Sequence, residues 1–107
     1  MKNINELQKE QKLWTLENFG DCPTWQPLLG IMEELGELAH AHLKQEQGIR
    51  KEEDHVVGAQ DAIGDIMFFL LDYCNRRNWD LQELAWQSWS IIKKRVGPCT
   101  NLKGDNI

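Results

Sequence analysis

The chain has 107 residues and a formal net charge of −5, from 12 Lys and Arg against 17 Asp and Glu. This length suits one domain with a single modest core, so further apolar burial through association of chains is expected. A hydrophobic fraction of 41 % argues against disorder. The acidic balance disfavours a nucleic-acid partner, because phosphate binding over a wide face requires a surplus of Lys and Arg.

The cysteines and the apolar segments indicate the compartment. Cys22, Cys74 and Cys99 are widely spaced without a Cys-x-x-Cys pair, which is typical of free thiols in a reducing environment. Residues 1–12 are polar and charged, unlike a signal peptide. The longest apolar run, residues 66–71, is far shorter than the ~20 residues that span a bilayer. We therefore expect a cytoplasmic protein without a membrane partner.

Hydrophobic periodicity predicts four helices and no strand. The first helix is expected over about residues 5–18, with Gly20 as its stop. The second begins at Pro27, whose missing N–H costs nothing in a first turn. It continues to about Gln47 and ends at Gly48.

The third predicted helix covers about residues 59–77 and is apolar on nearly every side. A helix of that kind normally occupies the centre of a bundle. The charged residues 48–57 before it are expected to form an exposed loop, although Asp54 is also suited to begin the helix.

The fourth predicted helix starts at a capping box formed by Asp80 and Glu83 and runs to about Val96. Residues 97–107 are expected to be a loose tail. The whole chain is therefore interpreted as a single all-α domain of the four-helix-bundle type, with its core over about residues 5–96.

Three glutamates of the second predicted helix fall within one turn. Glu33, Glu34 and Glu37 follow the pattern Glu-Glu-x-x-Glu, at spacings that make their side chains neighbours. Like charges at this spacing oppose helix formation by roughly 0.2–0.5 kcal/mol per pair. The opposite side of the helix is a broad apolar arc that is expected to form its core face, namely Leu28, Ile31, Met32, Leu35, Leu38, Ala39 and Leu43. Glutamates on one side of such a helix are often simply solvated.

The third predicted helix carries Asp61 and Asp65 on one stripe of an otherwise apolar cylinder. Buried carboxylates are costly unless they are paired or bind a metal ion. A divalent cation held between these aspartates and the glutamates of the second helix would remove that cost, and all-oxygen ligands suit Mg²⁺ or Mn²⁺. Asp72 lies about 10 Å further along the axis and is expected to form an ordinary surface pair with Arg76.

Two segments resemble the motifs of the MazG-like, all-α nucleoside triphosphate pyrophosphohydrolases. Residues 29–41, LGIMEELGELAHA, are similar to the first motif, and residues 61–71, DAIGDIMFFLL, are similar to the second. The resemblance covers about residues 5–96. The chain departs from the family pattern at Ala62, because the second motif usually reads Glu-x-x-Asp and Asp61 stands one position earlier.

The resemblance implies a MazG-like fold and a Mg²⁺-dependent hydrolase, with Mn²⁺ as a second suitable ion. Such enzymes cleave a nucleoside triphosphate between the α and β phosphates and release the monophosphate and pyrophosphate. Glu34, Glu37 and Asp65 would be metal ligands, with Asp61 as a fourth. Glu33 would bind the metal or orient the attacking water. The resemblance also implies a homodimer or homotetramer.

An anionic substrate requires positive partners, and the sequence offers several. Lys44 lies on the glutamate side of the second predicted helix, and Lys93, Lys94 and Arg95 end the fourth. The three terminal cations equally suit the negative end of a helix dipole. Trp25, just before the glutamate helix, is a candidate wall of a nucleotide pocket.

Two other readings remain open from the sequence. Ala62 favours a non-catalytic helical interaction module that keeps the carboxylates as a metal-stabilised staple. The same site also occurs in related pyrophosphohydrolases, so a different nucleotide such as phosphoribosyl-ATP is a possible substrate.

Overall fold

A computed structural model describes residues 3–95 of the chain. The predicted end of the fourth helix at Val96, the predicted tail over residues 97–107 and Cys99 lie outside these residues. Within the described range the chain forms only helices: α1 (Ile4–Phe19), α2 (Trp25–Gln47), α3 (His55–Arg77) and α4 (Leu81–Ile92). The expectation of an all-α fold with four helices is confirmed. No helix in this range is both long enough and apolar enough to cross a bilayer.

Two helices begin earlier than the sequence predicts, and for α3 a side-chain cap explains the difference. α3 begins at His55 and not near residue 59, because the Asp54 side chain accepts a hydrogen bond from the backbone N–H of Val57 at 3.1 Å. The loop predicted over residues 48–57 is therefore shorter. α2 begins at Trp25, two residues before the expected Pro27.

α4 ends earlier than predicted. The backbone N–H of Lys94 donates to the carbonyl of Ile91 at 3.1 Å, and that of Arg95 donates to Ile92 at 3.0 Å. These tighter bonds replace the regular helical pattern after Ile92, as is common in a last turn.

α3 is the central helix, as its apolar sequence predicts. It is the only one of the four that contacts each of the others, and α2 packs along its length. Leu71 and Ala62 of α3 are each only 1 % exposed. Asn75 ties α3 to α1, since its side-chain amide donates to Gln11 Oε1 at 2.7 Å and to the Gln8 carbonyl at 3.1 Å.

The contact between α2 and α3 is close because small residues lie on α2. A Cβ atom at Gly30 would stand 2.7 Å from the ring of Phe69, and one at Gly58 would stand 3.7 Å from Ala41. With Gly30 opposite Phe69 and Ala41 opposite Gly58, the two helices are antiparallel and their register is fixed.

Most of the apolar arc of α2 does not form a core face within one chain, contrary to the sequence prediction, and only Ile31 and Leu38 of the arc are half-buried. Leu28, Met32, Leu35 and Leu43 are 43, 68, 53 and 50 % exposed. The buried residues of α2 are instead Pro27, Gly30 and Ala41, and at Gly30 the ring of Phe69 leaves no room for a larger side chain. Neither α1 nor α4 packs against α2, so nothing in residues 3–95 covers the apolar arc.

The register of α2 on α3 can be tested at its glycines. Gly30→Ala should lower the free energy of unfolding by about 1–3 kcal/mol, because the added methyl group overlaps the Phe69 ring. Gly64→Ala on α3 is the matched control, since its Cβ would meet nothing within 4 Å. That variant should gain up to about 1 kcal/mol from helix propensity. Urea unfolding of both variants measures the difference, and equal effects would contradict the close contact.

Candidate functional site

The register that joins Gly30 to Phe69 also sets Glu34 of α2 opposite Asp65 of α3. The carboxylates of Glu37, Asp65 and Glu33 are all close enough to act on Glu34 by charge. Four of the five carboxylates that the sequence singles out are thus neighbours. The sequence prediction that the second and third helices pack side by side along these residues is confirmed.

Glu34 is in an unfavourable environment for a carboxylate. Its Oε1 atom is buried and accepts no hydrogen bond. Burial raises the pKa of Glu34, and the negative charges of Glu37, Asp65 and Glu33 raise it further. The group is therefore destabilised as an anion unless a proton or a cation compensates it.

The donor set suits a hard divalent cation, since it consists only of carboxylate oxygens. In the side-chain arrangement of residues 3–95, no three Asp, Glu, His or Cys groups converge closely enough to coordinate one ion. Glu33 and Glu37 are exposed, so rotation of their side chains can bring further oxygens toward Glu34. The unpartnered Oε1 of Glu34 and the all-oxygen chemistry fit Mg²⁺ or Mn²⁺.

The fifth carboxylate, Asp61, lies one helical turn before Asp65 on α3. Both aspartates are exposed, but only Asp65 is among the charges that raise the pKa of Glu34. The helix register places Ala62 opposite Glu37, and Ala62 is fully enclosed at 1 % exposure. The position that faces the glutamates is thus apolar, and the carboxylate that stands next to it in sequence lies at the surface.

A cavity of about 500 Å³ opens beside the glutamates, where α2 meets the beginning of α3. We call it the acidic cavity; it is lined by Glu33, Glu37, His40, Glu53 and His55. His40 Nε2 and Glu53 Oε1 are 3.0 Å apart, and this hydrogen bond is the main reason that the pKa of Glu53 lies below its ordinary value. Sequence reasoning missed Glu53 and His55, because no periodic pattern marks residues near a loop.

A second cavity, of about 380 Å³, lies on the other side of Glu33, between α1, α2 and α3. We call it the aromatic cavity, and its lining includes Phe19, Trp25, Glu33, Phe69, Asp72 and Arg76. Trp25 and Glu33 thus border the same space.

The pair formed by Asp72 and Arg76 is not at the surface, contrary to the sequence prediction. Each side chain is only 12 % exposed, and Arg76 Nε donates to Asp72 Oδ1 at 2.9 Å. Arg76 Nη1 also donates to the carbonyl of Cys22. The i, i+4 spacing predicted the pair, but not the contacts of Arg76 with Asp21 and Cys22 in the α1–α2 loop.

The other predicted cations lie away from the carboxylates in the single chain. Lys93, Lys94 and Arg95 are exposed at the end of α4, which makes no contact with α2. Lys44 is on α2, but its Nζ donates to Gln47 Oε1 at 3.4 Å, and it lines neither of the two cavities. Arg76 is the cation that the fold brings next to a cavity shared with Glu33.

Comparison with protein-family models, with curated proteins and with solved structures gave no match to this chain. The resemblance to the MazG-like enzymes therefore rests on the residues of the two motifs.

The raised pKa of Glu34 predicts how stability depends on pH. The folded chain holds the Glu34 proton more tightly than the unfolded chain, so this group costs stability as the pH rises past about 4.3, the ordinary glutamate pKa. In metal-free buffer, Glu34→Gln should therefore unfold at a higher denaturant concentration than the wild type at pH 7. The gain should disappear toward pH 4.

The exposed Glu10 provides the control, because Glu10→Gln should leave stability nearly unchanged at both pH values. Chemical unfolding at pH 4 and pH 7 measures the effect. A Glu34→Gln gain that is equal at both pH values would show that the charge of Glu34 is not its cause.

Proposed function

We propose that this protein is a Mg²⁺-dependent nucleoside triphosphate pyrophosphohydrolase. The observation that carries the proposal is Glu34, a half-buried carboxylate with an unpartnered oxygen among Glu33, Glu37 and Asp65. The two motifs that supply these residues resemble those of the MazG-like enzymes. The aromatic cavity beside Glu33 supports the proposal, because a nucleotide requires both a phosphate site and space for a base.

The proposed roles follow from position. Glu34, Glu37 and Asp65 would hold the ion, and the exposed Asp61 would be an additional ligand. When bound, Mg²⁺ would neutralise polyphosphate charge and lower the pKa of a bound water. Glu33 borders both cavities, which suits a group that orients the attacking water toward the α phosphorus.

The basic residues have weaker support for a role in binding. Lys44 and the terminal cations Lys93, Lys94 and Arg95 would meet substrate phosphates only if a second chain or a movement brought them to the carboxylates. Trp25 needs no such rearrangement, since it already borders the cavity that contains Glu33.

The proposal includes a homodimer or homotetramer in the cytoplasm, with no nucleic-acid or membrane partner. Exposed apolar residues on α2 support association, because monomeric proteins rarely leave a continuous apolar face uncovered. A second copy would supply the missing cover for this arc.

A second candidate function is a non-catalytic helical module stabilised by a metal ion. Ala62 favours it, since an enclosed alanine faces Glu37 where the resembled family carries a carboxylate. Hydrolysis of another nucleotide, such as phosphoribosyl-ATP, is the third reading. An activity assay separates all three.

The purified protein should release pyrophosphate and a monophosphate from at least one member of a panel of NTPs and dNTPs with Mg²⁺. Glu37→Gln should lower kcat/KM by about 100-fold or more, since it weakens charge stabilisation around the phosphates. Glu10→Gln is the matched control on α1 and should retain activity.

Thermal unfolding with and without Mg²⁺ gives a second readout that does not depend on turnover. Mg²⁺ should raise the Tm of the wild type and not that of Glu37→Gln. Turnover of no nucleotide, with a normal metal-induced shift in the wild type, would favour the non-catalytic module. Release of phosphate without pyrophosphate would show that a different bond is cleaved.

Association can be tested on the apolar arc of α2. Met32→Lys should lower the apparent mass in light scattering at micromolar concentration, because it buries a charge in the proposed interface. Gln45→Lys adds the same charge on α2 outside the arc and should not change the mass. A wild-type monomer at this concentration would contradict the proposed oligomer.

A further inference from the structure

The enclosed pair of Asp72 and Arg76 has no role in the proposed metal chemistry. The pair lies in the wall of the aromatic cavity, which Glu33 also borders. The candidate metal ligands Glu34 and Asp65 do not line this cavity. Both side chains are nearly buried, and burying an ion pair costs desolvation energy that the pair itself does not always repay. A surface pair of the same residues would avoid that cost.

Some hydrogen-bond donors and acceptors of the pair are not used by its contacts within the chain. Arg76 donates through Nε to Asp72 Oδ1 and through Nη1 to the Cys22 carbonyl, and its Nη1 is 3.9 Å from Asp21. These contacts do not use Oδ2 of Asp72 or Nη2 of Arg76. A carboxylate oxygen only accepts and a guanidinium only donates, so the remaining atoms form an acceptor beside a donor.

Aromatic rings supply the rest of the cavity wall. Phe69 packs edge-on against Phe68 with ring centroids 5.4 Å apart, which holds one side of the cavity. Trp25 and Phe19 are 57 and 63 % exposed, so large parts of their rings are free to contact another flat group. Flat aromatic surfaces beside one polar pair are typical of sites that bind a heteroaromatic ring.

We propose that Asp72 and Arg76 read the edge of the nucleobase while Trp25 stacks on its face. This proposal rests on the proposed function, because Glu33 joins the aromatic cavity to the carboxylates that would act on the phosphates. On the pairing edge, adenine and cytosine carry an exocyclic donor beside a ring acceptor, whereas guanine and uracil carry an exocyclic acceptor beside a ring donor. The fixed Asp72 acceptor and Arg76 donor therefore match one order and not the other. The ligand class is therefore a nucleotide bound with its base among the aromatic rings, and the pair is its specificity determinant.

The test separates base recognition from hydrolysis. Saturation-transfer NMR with adenosine, guanosine, cytidine and uridine, without phosphate or metal, measures binding to the aromatic cavity alone. The wild type should bind one nucleoside about 10-fold more tightly than the weakest, as a paired donor and acceptor discriminate by this order. In Asp72→Asn, which replaces an acceptor with a donor at the same size, that ratio should fall below about 3-fold.

Trp25→Leu tests the stacking part of the proposal. It should weaken all four nucleosides by about 10-fold while leaving their ratio unchanged, since stacking is tolerant of base identity. Trp86→Leu is the matched control, because Trp86 is an exposed tryptophan on α4, outside the cavity. It should bind all four nucleosides like the wild type.

Intermolecular NOEs in the wild type provide a measurement that needs no variant. Base protons should give NOEs to the rings of Phe19 and Trp25, and their absence would overturn the proposal even if Asp72→Asn failed to fold. An unchanged nucleoside ratio in a folded Asp72→Asn would overturn the role of the pair.

The parallel hydrolysis assay distinguishes the two proposals. The same change of preference should appear in kcat/KM across the four dNTPs with Mg²⁺. Nucleoside binding with the expected ratios but without hydrolysis of any triphosphate would overturn the proposed function and support the base site. Hydrolysis with equal loss for every base in Asp72→Asn would support the proposed function and overturn the base site.

Discussion

The close antiparallel contact of α2 with α3 determines where every candidate functional residue lies. Gly30 allows the two backbones to approach until a methyl group would overlap the Phe69 ring. At that separation and register, Glu34 is half-buried opposite Asp65, and its Oε1 accepts no hydrogen bond. The electrostatic strain at the carboxylates is thus a consequence of helix packing. A looser contact would hydrate Glu34 and remove the reason for a cation.

Glu33 connects two chemically different surfaces of the same helix pair. On one side the acidic cavity contains carboxylates and imidazoles, and on the other the aromatic cavity contains rings and one enclosed ion pair. The helical repeat explains the arrangement, because Glu33 and Glu34 project about 100° apart and only Glu34 turns into the contact with α3. A phosphate chain and a base can therefore approach one residue from opposite sides, which agrees with the proposed substrate class.

Sequence reasoning predicted the helices, the central place of α3 and the meeting of Glu34 with Asp65, because each depends on periodicity along one or two helices. It failed where the answer depends on which side of a helix meets another element. The large apolar arc of α2 reads as a core face, but the residues of α2 that are buried are Pro27, Gly30 and Ala41. Asp72 and Arg76 read as a surface pair, because hydrophobic periodicity does not describe the distant α1–α2 loop that contacts Arg76.

These contacts show where the excess negative charge of the chain is concentrated. Glu33, Glu34, Glu37, Asp61 and Asp65 are as many as the five surplus negative charges, so the remaining residues are neutral by the same count. Four of the five lie together, where one of them is already unfavourable as an anion. A triphosphate would add negative charge to this place, and Coulomb repulsion in a partly buried site is stronger than in water. Substrate could therefore approach only with a cation, so the features that destabilise Glu34 as an anion would also make a divalent ion obligatory for the proposed reaction.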